Sequence, residues 1–357
     1  MQQEREAWLT PAEIFAPWYS RALAKYMLGE ISGPLHVYEI GGGSGTNAVE
    51  ILNYMREHHP KVYETMQYTL IEISPVLAQR QASRIQDHRM ANVVQSSIHD
   101  WTKKVKPGAF VIALEVLDNL PHDKVVLQDG QWFETVVSDW TESKRPLQDA
   151  LIAETLQYFP IRLPYTVQYK HSSRYATDVI ALMERLAHWL RGRIFPKVEP
   201  LMSAFVPTGC MQLLKVLHTY FPKHRLIAAD FDFLPPPELP ASSMYHVLNH
   251  PDQPTAASGG TLHAVNAPIV ASKLSGETKD HDTYILDGEG TADIFFATDF
   301  ARLKGAYCAY TGRKHNSVSV IKSRAFMQSH AELEKTKTIL GYNPLLRDYE
   351  NMSLMIS

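Results

Sequence analysis

The chain has 357 residues, of which 45% are hydrophobic and 20% are charged, and its formal net charge at pH 7 is -3. These values are typical of a globular protein with a large core, and the lack of a basic excess argues against a nucleic-acid partner. No apolar run is long enough to predict a membrane span. Neither Cys210 nor Cys308 lies in a metal-ligand spacing, so we predict no metal site and no disulfide framework.

The N-terminal residues show neither a secretory nor a transit-peptide pattern. Because Trp8 to Pro17 already has the pattern of a folded segment, we expect that further residues precede Met1, which leaves room for a targeting segment. Apolar residues recur at helical spacing from residue 8 to residue 30. Residues 1–34 are therefore interpreted as an N-terminal helical segment.

Predicted strands and helices then alternate along the chain. Apolar runs predict five strands, at 35–40, 67–73, 92–96, 109–115 and 226–231, and the intervening helices include one that begins at Pro75 and one over 208–221. Such alternation predicts an α/β fold with a doubly wound, mostly parallel, seven-stranded Rossmann-like sheet covered by helices on both faces.

The alternation stops between the fourth and fifth strands. Residues 124–207 include a predicted long amphipathic helix that starts near Thr177, and we interpret them as a large, mainly helical insertion over the substrate side of the sheet. Residues 35–123 and 208–357 would then form the main domain. Within it, the Pro-, Ser- and Gly-rich residues 235–262 predict a loop that could close over the site.

The last part of the chain is predicted to add further strands. Apolar runs place them near 268–273, 291–297, 306–310 and 318–321.

The most informative motif follows the first strand and runs Glu39-Ile40-Gly41-Gly42-Gly43-Ser44-Gly45-Thr46. Glycines at Gly41, Gly43 and Gly45 permit positive φ and let a ligand approach the backbone closely. The predicted helix start that follows offers free N–H groups and a favourable dipole. A dinucleotide-binding motif would need a glycine where Thr46 stands. The motif therefore predicts a different nucleotide-like cofactor.

Two glutamates at strand ends indicate which cofactor that is. Glu39 would repel a pyrophosphate, but it would attract the sulfonium and α-ammonium groups of S-adenosylmethionine. Glu72 ends the second strand and is predicted to accept hydrogen bonds from the ribose hydroxyls. Ser97 and Ile98, which follow the third strand, are predicted to contact the adenine. These residues together predict a methyl-donor site, and Glu115 is expected to contact the donor as well.

The methyl acceptor is expected beside Glu115 and Asp118, which follow the fourth strand and are the predicted catalytic residues. An amine or hydroxyl acceptor needs a nearby base, whereas a guanidinium keeps its proton and is bound by carboxylates in a bidentate geometry. The two carboxylates suit a guanidinium, with His122 or Asp123 as weaker candidates for carrying off a proton. An alternative for Glu115 is that it only braces the turn.

Four segments resemble motifs of one known family and occur in the same order. They are Leu9-Thr10-Pro11-Ala12-Glu13-Ile14-Phe15, the glycine motif, Glu115-Val116-Leu117-Asp118-Asn119-Leu120-Pro121, and Glu289-Gly290-Thr291-Ala292-Asp293-Ile294 through Asp299-Phe300. The chain thus resembles the MidA-like S-adenosylmethionine-dependent methyltransferases, some of which methylate an arginine of a mitochondrial complex I subunit. The resemblance implies a mitochondrial protein arginine N-methyltransferase with a protein substrate and a role in complex I assembly.

Two other functions stay open. His122 and Asp123 depart from the order that the family usually shows after Pro121, which leaves room for a donor-binding assembly or scaffold protein with little catalysis. A small-molecule methyltransferase is the third hypothesis, in which the insertion and residues 235–262 enclose the substrate. The oligomeric state is not predicted.

Overall fold

The computed structural model describes residues 9–128, 130–161, 202–235, 237–239, 263–274, 277–286, 290 and 292–357. Its strands are β1 (His36–Ile40), β2 (Gln67–Glu72), β3 (Ala91–Gln95), β4 (Phe110–Leu114), β5 (Asp123–Gln128), β6 (Gln131–Ser138), β7 (Thr141–Pro146), β8 (Met202–Val206), β9 (Arg225–Phe231), β10 (His263–Val265), β11 (Ile269–Leu274), β12 (Glu277–His281), β13 (Asp293–Phe295), β14 (Ser319–Lys322) and β15 (Met352–Ile356). Its helices are α1 (Pro11–Ile14), α2 (Trp18–Glu30), α3 (Thr46–His58), α4 (Pro60–Tyr63), α5 (Pro75–Ile85), α6 (Ala150–Tyr158), α7 (Thr208–Tyr220), α8 (Phe300–Thr311), α9 (Ser323–His330) and α10 (Pro344–Arg347).

A seven-stranded sheet forms the centre of the molecule, in the order β3-β2-β1-β4-β9-β15-β14. β15 runs antiparallel to both of its neighbours, and the other neighbouring pairs are parallel. β1 lies between β2 and β4, so the chain reverses the direction in which it adds strands at this point. A crevice opens at the carboxyl ends of such strands. The predicted mostly parallel, seven-stranded sheet is confirmed.

Alternate residues of the sheet strands face opposite layers of helices, as the two-residue period of a strand requires. Ile112 of β4 packs in one core with Leu23 of α2 and Ile51 of α3. Val111, its neighbour in sequence, belongs to the other core, which contains Leu214 of α7. Both faces of the parallel strands are covered, which explains why these strands read as continuous apolar runs.

The region predicted as a mainly helical insertion is different where the structure describes it. β5, β6 and β7 form an antiparallel meander, and with β8 and β10 they make a five-stranded sheet in the order β10-β8-β5-β6-β7. α6 is the described helix between β7 and β8. The mainly helical character is therefore corrected for residues 123–161. The long helix predicted from Thr177 lies outside the described residues, as does most of the loop predicted over 235–262.

The C-terminal part holds one wrong prediction and one missed strand. Residues 306–310 belong to α8 and not to a strand. β15 was not predicted, although it completes the central sheet between β9 and β14. The runs near 268–273 and 291–297 do contain strands, but these lie in a separate sheet of order β12-β11-β13. Within the described ranges, no helix combines the length and hydropathy that a bilayer crossing requires.

Candidate active site

The glycine loop between β1 and α3 has the conformation that its sequence predicts. Gly41, Gly43 and Gly45 have φ angles of 62°, 51° and 82°, which side-chain-bearing residues rarely adopt. A Cβ at Gly42 would lie 2.5 Å from Leu70 Cδ2, so this position is closed on the protein side. A Cβ at Gly43 would meet no atom within 4 Å. The loop therefore presents open space at Gly43, where a ligand can approach the backbone.

Glu39 lies beneath this loop at the end of β1 and is 2% exposed. Its two carboxylate oxygens accept hydrogen bonds from Asn47 Nδ2 and from the Tyr68 hydroxyl, both at 2.8 Å. Burial raises the pKa of Glu39, and these two hydrogen bonds oppose the shift. Glu39 is thus held in a fixed position. Its predicted contact with the donor stays a prediction.

Glu72 occupies the equivalent position at the end of β2 and is held in a similar way. Its carboxylate accepts hydrogen bonds from the Ser74 N–H at 2.9 Å and from Gln81 Nε2 at 3.0 Å. Gln81 Nε2 also donates to the Gly43 carbonyl at 2.9 Å. Gln81, which the sequence reasoning missed, therefore links the glycine loop to the predicted ribose site.

The residues predicted for the adenine lie at the end of β3, next to β2. The Ser97 hydroxyl accepts a hydrogen bond from the His99 N–H at 3.2 Å and so caps a short 3-10 turn. Ile98 is 5% exposed and packs in the core that contains α7. Ile73, directly after Glu72, is 70% exposed and was not predicted as a site residue.

A cavity of about 160 Å³ joins the glycine loop to the end of β4. Its lining includes Glu39, Asn47 and Glu115, together with Glu13 from α1. The Ser44 hydroxyl donates to Glu13 Oε1 at 2.5 Å, so the N-terminal helical segment is tied to the loop. Three carboxylic acids and a buried amide give the cavity a marked preference for a positively charged ligand.

Glu115 has the unusual backbone of this site, with a φ of 52°. A non-glycine residue in this region is strained by roughly 1–3 kcal/mol and is held there by its surroundings. The Glu115 N–H donates to the Ala229 carbonyl of β9 at 2.8 Å, which fixes the turn. Burial raises the pKa of Glu115 to about 8, and the charges of Asp118 and Glu13 add to this shift.

Asp118 is brought close to Glu115 but is 1% exposed. Its Oδ1 accepts a hydrogen bond from Asn119 Nδ2 at 2.7 Å, and burial raises its pKa to about 6. Asp118 does not line the cavity next to the glycine loop. The Asp118 side chain is thus buried behind the turn that follows β4, whereas Glu115 lines the cavity at the glycine loop.

Asp230, at the end of β9, is a further site residue that the sequence reasoning missed. Its Oδ2 accepts hydrogen bonds from the Leu117 and Asp118 N–H groups at 2.8 and 3.0 Å, and Oδ1 accepts one from Phe231 N–H at 2.7 Å. Burial raises its pKa well above the ordinary value, and the Asp118 charge adds to the shift. An aspartate that ends an apolar strand was the available signal.

The two weaker candidates for proton transfer are engaged in other contacts. His122 Nδ1 donates to the Leu120 carbonyl at 2.8 Å, and the ring stacks on Phe296 with centroids 3.8 Å apart. Burial lowers the pKa of His122 to about 4, so the ring is neutral at pH 7. Asp123 accepts a hydrogen bond from the Thr208 hydroxyl at 2.6 Å.

A second, larger cavity of about 520 Å³ lies on the other side of the turn that carries Glu115. Leu117 and His122 line it, together with Phe159, Phe205 and Phe300 from the surrounding elements. Its size and aromatic lining are typical of a pocket for a small organic group. No group of three or more metal-ligating side chains occurs in the described part of the chain.

The residues around the glycine loop fit S-adenosylmethionine. Gly43 leaves space against the backbone, Glu39 and Glu72 offer acceptor oxygens, and the buried Asn47 Oδ1 and Gln81 Oε1 have no hydrogen-bond partner among the described residues. When bound, this cofactor would supply an electrophilic methyl group on a positively charged sulfur. Glu39, Glu72 and the glycine loop would hold it.

Comparisons with known proteins identify a family and a fold. Residues 16–318 match the family described as "Putative S-adenosyl-L-methionine-dependent methyltransferase". A Burkholderia thailandensis structure bound to S-adenosyl-homocysteine is similar, with a TM-score of 0.56 and 14% identity over 98% of this chain and 78% of that chain. An uncharacterized protein of the same superfamily and organism gives 0.53 and 13% over 98% and 80%.

At such identities the similarity to the solved structures shows the fold alone, and a comparison with curated proteins gives no match. The family match covers most of the chain, so the predicted family and the predicted cofactor are both confirmed. The chain belongs to the MidA-like family of S-adenosylmethionine-dependent methyltransferases, and S-adenosylmethionine is its methyl donor.

Proposed function

We propose that this methyltransferase acts on a guanidinium nitrogen of a protein arginine, and that its substrate is a mitochondrial complex I subunit. The observation that carries the proposal is a cluster of buried acids without ion-pair partners at the ends of β4 and β9. Glu115, Asp118 and Asp230 form no ion pair among the described residues, and burial raises the pKa of each. A guanidinium bound beside Glu115 would supply the positive charge that these acids lack.

Glu115 is the residue best placed to touch such an acceptor, because of these three acids it is the one that lines the donor cavity, so an acceptor beside it would face the donor. In the reaction, a bond forms between the arginine nitrogen and the methyl carbon, and the carbon–sulfur bond breaks with its electrons going to sulfur. The nitrogen then loses a proton. Ionised Glu115 can take this proton, since its pKa of about 8 favours the protonated form at pH 7. Asp118 and Asp230 would hold the turn and add negative charge.

The link to mitochondria and to complex I rests on the resemblance to MidA-like proteins that methylate an arginine there. Fractionation of cells that express the tagged protein would test the location. Recovery of the tagged protein in mitochondria supports the proposal, and its absence from mitochondria contradicts it.

Labelling with a tritiated methyl donor tests the acceptor. The purified protein is incubated with mitochondrial extract, the labelled polypeptides are hydrolysed, and the labelled amino acids are identified. We expect label in methylarginine from a complex I subunit, and a rate of labelling lower by roughly 100-fold or more with Glu115→Gln. If the protein binds the donor well but labels no polypeptide, the proposal is wrong.

A small-molecule acceptor is the second candidate, and the cavity of about 520 Å³ is large enough to hold one. Metabolite profiling of a knockout strain separates this candidate from the first, because a lost methylated compound would identify it. A donor-binding scaffold with little catalysis is tested in the same strain. Normal rescue by a Glu115/Asp118 double substitution would favour the scaffold function over both enzymes.

A further inference from the structure

Two buried side-chain amides stand next to the two glutamates of the donor site, in the same relation to each. Asn47, at the start of α3, donates to Glu39, the penultimate residue of the strand before that helix. Gln81, in α5, donates to Glu72, which ends the strand before that helix. Asn47 is 4% exposed and Gln81 is 0% exposed. Each glutamate is thus paired with an amide from the helix that follows it.

The amide oxygens of both residues are buried and have no hydrogen-bond partner among the described residues. Their orientation is fixed by the groups on the nitrogen side. Gln81 Nε2 faces the Gly43 carbonyl and a Glu72 oxygen, and a carbonyl only accepts, so the nitrogen must stand there. Asn47 Nδ2 likewise faces a Glu39 carboxylate oxygen. Each amide oxygen is therefore a buried acceptor for which the described residues provide no donor.

We propose that the Asn47 amide oxygen accepts a hydrogen bond from the amino-acid end of S-adenosylmethionine, and that Gln81 is a positioning residue that acts on the ribose through Glu72. Asn47 also lines the acid-rich cavity at the glycine loop, where the α-ammonium is the cofactor group that carries both charge and N–H donors. Gln81 is 0% exposed and lines neither cavity, so we assign it the role of holding Glu72 and the Gly43 carbonyl in place, through hydrogen bonds from its Nε2. Both amides hold their glutamates in place, and the Asn47 oxygen completes the recognition of the α-ammonium.

Two ligands that differ at one end separate these assignments. S-adenosylhomocysteine has both the amino-acid end and the ribose, whereas 5′-methylthioadenosine has the ribose but lacks the amino-acid end. Asn47→Leu should weaken S-adenosylhomocysteine by about tenfold and leave 5′-methylthioadenosine within about twofold. Gln81→Met should weaken both ligands by about tenfold. Isothermal titration measures all four affinities without the need for a methyl acceptor.

Matched controls are available on the same helices. Gln79 is exposed on α5, and Asn53 on α3 accepts a hydrogen bond from Arg56 at the surface. Gln79→Met and Asn53→Leu should bind both ligands like the unchanged protein. Thermal unfolding confirms that each variant is folded before titration. Where Asn47→Leu does not fold, Asn47→Ala removes the same oxygen with a smaller side chain.

A purely structural role predicts a different pattern, since a displaced loop would weaken both ligands equally in the Asn47 variant. An equal loss, or unchanged S-adenosylhomocysteine affinity in Asn47→Leu, would overturn the assignment of Asn47. Unchanged 5′-methylthioadenosine affinity in Gln81→Met would overturn that of Gln81. Neither result bears on the arginine acceptor, because the titrations contain none.

Discussion

The ends of β1 and β4, which are neighbours in the sheet, hold buried carboxylates in opposite ways. Glu39 at the end of β1 accepts hydrogen bonds from Asn47 and Tyr68. Glu115 after β4 accepts no side-chain hydrogen bond among the described residues, has a strained backbone, and has a pKa raised to about 8. Glu39 is therefore surrounded by hydrogen-bond donors, whereas Glu115 is not.

This difference indicates that the two halves of the site do different work. The β1 and β2 ends are preorganised, so a cofactor can bind there without rearrangement of the glutamates. The β4 end is electrostatically incomplete and becomes favourable only when a positive charge arrives. We therefore expect changes at β1 and β2 to alter donor binding, and changes at β4 to alter turnover.

The largest expected effect tests the β4 half through Glu115→Gln. The variant keeps the size of the side chain but cannot ionise or accept a proton, so turnover should fall by roughly 100-fold or more. Donor affinity should stay nearly unchanged. Methyl transfer to the labelled polypeptide and titration with S-adenosylhomocysteine measure the two quantities. A variant with normal turnover would remove Glu115 from the reaction.

The β1 half is tested through Gly43→Val. The new side chain would enter the open space at the loop, and overpacking of this kind should lower S-adenosylhomocysteine affinity by roughly 10- to 100-fold. Gly312→Val is a matched control, because Gly312 also has positive φ (72°) and open space but lies at the end of α8. Equal affinities in the two variants would mean that the ligand lies elsewhere.

A smaller effect is expected at the end of β2. Glu72→Ala removes a charged acceptor from the predicted ribose site and should weaken S-adenosylhomocysteine by roughly 1–3 kcal/mol. Isothermal titration gives this value directly. Exposed Glu57 provides a control, since Glu57→Ala should bind the ligand normally. Loss of affinity in both variants would point to a general effect on the fold.

The smallest effect is on stability and follows from the sign of the Glu115 shift. The folded protein favours protonated Glu115, so its contribution is complete below its ordinary pKa of 4.5 and is lost as the pH rises through about 8. Gln resembles the protonated form at every pH. Glu115→Gln should therefore have nearly the same Tm as the unchanged protein at pH 4 and exceed it by at least about 2 °C at pH 8.5. A Tm difference that does not depend on pH would contradict a raised pKa for Glu115.

Local patterns were enough to predict most of the central sheet. β1 to β4 and β9 are apolar runs separated by helices, and this pattern specifies a parallel sheet with little ambiguity. The run at 306–310 was misread because a short apolar segment cannot be told from a buried helix by periodicity. β15 lies at the far end of the chain, and its pairing with β9 is a long-range contact that no local signal specifies.

The site shows the same division between local and long-range information. The positive φ angles of the glycine loop follow from its composition, so the loop was predicted correctly. Asp230 and Gln81 act through hydrogen bonds to residues that are distant in sequence, 113 and 38 positions away. Only the folded chain brings such partners together. The uncompensated charge at Glu115 is likewise a property of burial and not of sequence.

The most direct test of the division between the two halves is a pH profile of kcat/KM for the methyl acceptor, measured from pH 6 to pH 9.5 at saturating donor. A guanidinium acceptor stays protonated across this range, so any change reports on the enzyme. We predict that kcat/KM rises with pH to a plateau, with a midpoint no higher than the Glu115 pKa of about 8, because the cationic donor favours the ionised carboxylate, and that Glu115→Gln loses this rise. A flat profile, or the same profile in the variant, would contradict the role assigned to the end of β4.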